Sequence, residues 1–82
     1  MLRTKVRFLV ALRKDEGSDW GAEVVGAPVF STGSTVEEAL ENLKSAIRLH
    51  YEEGEIDYNI PVEALRSGEY DDAILRVLEV EF

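Results

Sequence analysis

His50 is the single histidine of this 82-residue chain, and Glu52 and Glu53 follow it within three residues. An imidazole becomes a general base or a metal ligand when a carboxylate orients it or a second ligand converges on the same ion. Glu53 lies three residues on, at a helix end, and nothing else joins the pair. His50 therefore reads as a histidine on the rim of an apolar helix face, capping helix-end carbonyls. Carboxylates recur as adjacent pairs, Asp15-Glu16, Glu37-Glu38, Glu52-Glu53 and Asp71-Asp72. Neighbours in a helix point in different directions, so these runs read as solvated surface. A two-metal nuclease needs isolated acids projecting from strands into one cleft. Glu23, Glu79 and Glu81 are placed for that, and the first strand adds none. With no cysteine there is no thiolate nucleophile and no disulfide. Gly17, Gly21, Gly26 and Gly33 form no phosphate-cradling pattern. Gly33-Ser34-Thr35 precedes a helix start that could attract an anion, but Glu37 and Glu38 already sit there. The expectation is a protein that is not an enzyme and uses no metal or cofactor.

Acidic residues outnumber basic ones 17 to 9, for a net charge of −8. Binding a phosphate backbone requires clustered Lys and Arg, so no direct nucleic-acid binding is expected. The charge suits a basic protein partner. The longest apolar run near the start, Phe8 to Leu12, is too short for a membrane span or a signal-peptide core. A cytoplasmic protein that does not enter a membrane is expected. A chain of this size forms one domain, here residues 1–82, and buries only roughly 60% of its unfolded surface, so association with other copies would stabilise it.

The elements that position these residues follow from periodicity. From Arg3 to Arg13 the even positions Val6, Phe8, Val10 and Leu12 are all apolar, which predicts a strand with one buried face. Lys14 to Asp19 is a polar turn. Trp20 to Val25 alternates again, Pro28 breaks the ladder, and Val29 to Thr32 makes a short third strand. Thr35 with Glu38, or Ser34 with Glu37, forms a capping box. It opens a helix from Val36 to Glu53 with Val36, Ala39, Leu40, Leu43, Ala46, Ile47 and His50 on its apolar face. Gly54 suits the position after it. Residues 55–73 are ambiguous, a short helix opened by Pro61 through Arg66 and stopped by Ser67-Gly68 being one reading, and Ile74 to Phe82 is the last strand. The fold class is α+β, in the order β-β-β-α-β. One amphipathic helix covers one face of a small, mostly antiparallel sheet, and the last strand returns beside the first through a right-handed crossover. The opposite face carries Leu9, Val25, Leu75 and Val77, which a single helix cannot reach. A homo-oligomer, dimer or tetramer, is therefore expected. Trp20 and Phe30 read as buried sheet residues, with partner contact as the competing reading.

The stretch from Asp15 onward resembles the HicB-like antitoxin family. Asp15 and Gly17 lie in the turn, followed by Trp20, Ala22-Glu23 and Pro28. Thr32-Gly33-Ser34-Thr35 makes the next turn, Glu37-Glu38-Ala39 the helix start, and Asn42 and Ala46-Ile47 its continuation. Glu52-Glu53-Gly54-Glu55 and Pro61 come after. The resemblance covers roughly residues 3–61. In place of the family's Leu-Pro-Gly-Cys-like run stands Ala27-Pro28-Val29-Phe30. No DNA-binding segment follows the fourth strand, so a stand-alone member without operator binding is expected. The resemblance implies a partial ribonuclease-H-like fold, oligomerisation, and neutralisation of a small basic mRNA-cleaving toxin of the HicA type by covering its RNA-binding face. The helix face around Glu37, Glu38 and Glu41, together with Trp20, is the candidate contact surface; for the acids, a plain solvated face is the competing reading. A homo-oligomeric domain of the same fold without a toxin partner is the alternative function.

Overall fold

The computed structural model describes residues 4–17, 19–52 and 56–82. Four strands, β1 (Lys5–Lys14), β2 (Trp20–Val24), β3 (Phe30–Gly33) and β4 (Ile74–Glu81), form one sheet in the order β3-β2-β1-β4. Every neighbouring pair is antiparallel. The expected Arg3, Glu53 and Gly54 boundaries fall outside the described residues. β4 does lie beside β1, but it runs antiparallel to it. The right-handed rule for crossovers between parallel strands therefore does not govern this connection.

The alternation read from the sequence sets the faces. Phe8, Val10 and Leu12 of β1 pack with Ala22, Val24, Leu78 and Val80 beneath α1 (Val36–His50), which contributes Ala39, Leu43 and Ile47. Thr35 is the helix N-cap. Its hydroxyl accepts the Glu38 N–H at 3.0 Å, and the Glu38 carboxylate accepts the Ser34 N–H at 3.0 Å. The reciprocal bond thus goes one residue ahead of the cap. α1 ends at His50, where the Tyr51 N–H turns back to the Ile47 carbonyl. Gly33 allows the close approach of β3 to the first turn of α1, since a methyl there would strike the backbone of Glu38 and Ala39.

The expectation that one sheet face stays open is only half right. Leu9, Ala11 and Val25 on that face are buried under Ala64, Tyr70 and Ala73, whereas Leu75 and Val77 are exposed. The cover is the segment that follows α1. Ile56 and Tyr58 pack on the α1 side of the sheet. Pro61 then lies against Gly26, which takes a φ of +90° in the β2–β3 turn. α2 (Val62–Arg66) and the residues up to Ala73 cross the other face. The Ser67 hydroxyl donates to the Ala64 carbonyl, and Gly68, at a φ of +80°, turns the chain out of α2. Small and aromatic residues without a period do this work, so no periodic signal announced it.

Candidate protein-interaction surface

Trp20, at the start of β2, is half-buried against the α1-side core, with the Lys14 ammonium 5.9 Å above its ring. Trp20 pairs with Gly33, whose backbone abuts Glu38 and Ala39. The indole and the first turn of α1 therefore occupy the same end of the molecule. The three acids proposed with it differ in their freedom. Glu38 is held by the cap. Glu41 reaches Lys44 at 3.3 Å one turn along the helix. Glu37 is exposed in the first helical turn, where a negative charge is favoured by the helix dipole.

Acids on the sheet do not converge on one cleft. Glu23 accepts from Arg13 at 2.7 Å. The same guanidinium donates to Asp72 at 3.2 Å and to the Glu69 carbonyl at 3.0 Å, and sits 5.4 Å from the Tyr70 ring centre. Its hydrogen bond to Glu23 raises the Arg13 pKa, against a smaller opposing effect of burial and with help from Asp72. Arg13 thereby ties the covering segment to the sheet. Glu79 lies between Lys5 and Arg7, at 3.8 and 3.7 Å. Glu23 is opposite Ala11 and Glu79 opposite Arg7, on different sides of β1. Among the described residues no group of three or more His, Cys, Asp or Glu could hold a metal ion, and no helix is long and apolar enough to cross a membrane.

His50 departs from its expected place. It is exposed, its ring edge-on to Tyr51 at 4.8 Å and 89°, rather than on the buried face. Phe30 departs as well: it is 74% exposed, on the sheet face away from α1. With Leu49, 71% exposed, and His50 it borders a shallow groove of about 350 Å³ between β3 and α1. The signal for Leu49 was present, because it falls outside the three- and four-residue apolar series. Burial pushes the pKa values of Tyr51, Tyr58 and Tyr70 above the usual tyrosine value.

Solved structures that share this arrangement include two of one antitoxin. The crystal structure of the Burkholderia pseudomallei antitoxin HicB matches with a TM-score of 0.75 and 31% identity, over 92% of this chain and 63% of that one. The crystal structure of that antitoxin's N-terminal domain matches with a TM-score of 0.78 and 29% identity, over 92% of this chain and 98% of the domain. The chain is similar to HicB-like antitoxins over nearly its whole length. Its HicB-like fold takes in nearly the whole of that N-terminal domain, while the chain spans about 63% of the length of the HicB antitoxin chain. No protein-family model and no curated protein matches the sequence.

Proposed function

We propose that this HicB-like chain is an antitoxin-like protein-binding module that acts in the cytoplasm on a small, basic, mRNA-cleaving protein of the HicA type. The observation that carries this reading is the match to the HicB N-terminal domain over 98% of its length. The net charge of −8 supports it, because opposite charge steers association and sets orientation. A toxin that binds RNA must present a basic surface, and a compact acidic domain seated there blocks the substrate without any chemistry of its own. Glu37 and Glu41, free of the helix cap, are the acids of α1 available for that contact, with Trp20 at the same end of the molecule.

The test is co-expression with the small basic protein encoded beside the gene, followed by co-purification and an RNA-cleavage assay. The expected result is a complex that weakens as salt rises, with cleavage suppressed in proportion to complex formed. No complex, together with no rescue of toxin-arrested growth, would overturn the reading.

A further inference from the structure

Gly21, the second residue of β2, is a glycine that the fold itself does not require. Its φ is not positive, and a Cβ added there would meet only the Arg13 carbonyl oxygen, at 3.7 Å. Glycine within a strand weakens it, and it often marks a place where another group approaches closely. The register shows what surrounds the missing side chain. Gly21 lies between Arg13 on β1 and Thr32 on β3, and the next row on the same face is Ala11, Glu23 and Phe30. An open pit of about 260 Å³ lies over these residues, on the sheet face away from α1.

The walls of the pit set its chemistry. Glu23 gives Oε1 to Arg13 at 2.7 Å, and its Oε2 has no partner among the described residues. The Arg13 guanidinium is answered by Glu23 and Asp72 and is drawn towards the covering segment by Asp72 and the Glu69 carbonyl. Asp15, at the rim, has no ion-pair partner among the described residues, so the pit carries an excess of negative charge. Phe30 stands exposed at the opposite wall, and an open aromatic ring attracts a cation to its face. Anions are therefore repelled. Sites for drug-sized molecules run to about 300–1,000 Å³, and this smaller opening suits one long side chain.

We propose that the pit receives an arginine side chain of a basic partner protein. The inference rests on the antitoxin reading for the basic character of that partner, and adds the place where one of its residues docks. A guanidinium is planar and more weakly hydrated than an ammonium, so it stacks on a ring while its edge donates to oxygen. The Phe30 ring, the Glu23 Oε2 and the Thr32 hydroxyl stand around one opening, and Ala11 and Gly21 give the aliphatic stem an apolar floor. Thr32 also ties the rim to α1, because Asn42, next to Glu41, donates to the Thr32 carbonyl at 2.8 Å. A partner that reaches round the four-residue β3 meets the pit and the acids of α1 together.

Two measurements test the proposal. In the first, the native chain is titrated with Nα-acetyl-arginine amide and followed by amide nitrogen–proton correlation spectra. The signals of Gly21, Glu23 and Thr32 should move at millimolar concentration, and the citrulline counterpart, of the same shape without the charge, should leave them in place. In the second, affinity for the small basic protein encoded beside the gene is compared across variants. Gly21→Val fills the pit with a residue that suits a strand. It should weaken the complex about tenfold with no loss of Tm, and Phe30→Ala should weaken it in the same direction. No shift with the capped arginine, an equal shift with citrulline, or arginine shifts that persist in Gly21→Val would each overturn the assignment. A complex indifferent to Gly21→Val would overturn it and leave the antitoxin reading standing. Arginine shifts confined to the pit, with no complex, would sustain the pit and count against the antitoxin reading alone.

Discussion

The Tyr58 hydroxyl donates a 2.7 Å hydrogen bond to the Val25 carbonyl while accepting one from the Leu9 N–H at 3.3 Å. Val25 still donates directly to the Leu9 carbonyl at 2.8 Å. One side of the Leu9–Val25 pair is thus bonded strand to strand, and the other is bridged by a phenol. The Tyr58 ring stacks at 4.8 Å on Phe8 from the α1 side, at the place where the chain leaves one face of the sheet to cover the other. The residue that opens the ladder also satisfies both backbone groups it separates.

Tyr58→Phe should keep the ring packing and leave the Leu9 N–H and Val25 carbonyl without their partner. Unsatisfied, partly buried backbone groups cost about 1–3 kcal/mol, which in a domain this small lowers Tm by roughly 5–15 °C. Thermal unfolding followed by circular dichroism checks this, and an unchanged Tm would show that the bridge contributes nothing.

Stability should decline at alkaline pH. Burial, the leading cause in each case, raises the pKa values of Tyr51, Tyr58 and Tyr70 in the folded chain. The folded state therefore holds these protons in a range where the unfolded chain has released them. Their contribution is complete below about pH 10, the unfolded value, and is lost as pH climbs through the folded-state values. Urea midpoints measured across that range should fall, and Tyr58→Phe should fall less steeply because its share is absent.

Gly33→Ala should destabilise through sterics alone. The added methyl meets the peptide backbone of Glu38 and Ala39, which no rotamer change moves aside, so α1 must lift from β3 at a cost of about 1–3 kcal/mol. Gly21→Ala is the control: its nearest neighbour is the Arg13 carbonyl oxygen at 3.7 Å, an ordinary contact. Chemical denaturation of the two variants should separate them clearly.

Arg13→Met should loosen the covering segment more than the sheet. Arg13 links Glu23 on β2 to Asp72 and the Glu69 carbonyl, and methionine keeps much of the apolar stem. Hydrogen exchange of amides in residues 62–73 should accelerate while the centre of β1 stays protected. Equal acceleration in both would contradict the assigned role.

The acids of α1 should divide by role. Glu38→Gln weakens the reciprocal cap and should lower stability by up to about 1 kcal/mol. Glu37→Gln and Glu41→Gln should change it by less than about 0.5 kcal/mol while slowing association with a basic partner at low salt. Stopped-flow binding beside thermal melts of all three variants gives the comparison.

Local patterning carried much of this protein. Period-two runs set the strands, the three- and four-residue apolar series set α1, and the overlapping capping boxes Thr35–Glu38 and Ser34–Glu37 placed its start within one residue, which the structure resolved to Thr35. The Pro61 to Gly68 signals offered α2 as one reading of an ambiguous stretch, and the structure places it at Val62–Arg66. These features depend on neighbours in the chain, which a sequence displays directly. The candidate surface was legible only as composition: Glu37, Glu38 and Glu41 were visible as acids, while the capping-box spacing left open whether Glu38 or Glu37 is the one held by the cap. Tertiary structure alone decided that Tyr58 reaches Leu9 and Val25, that Arg13 gathers Glu23 and Asp72, that Phe30 faces water, and that residues 56–73 shield half of a face a single helix could not reach. Those contacts join positions tens of residues apart through side chains without a repeat. Their energies depend on where the folded chain passes, and no local period encodes that path.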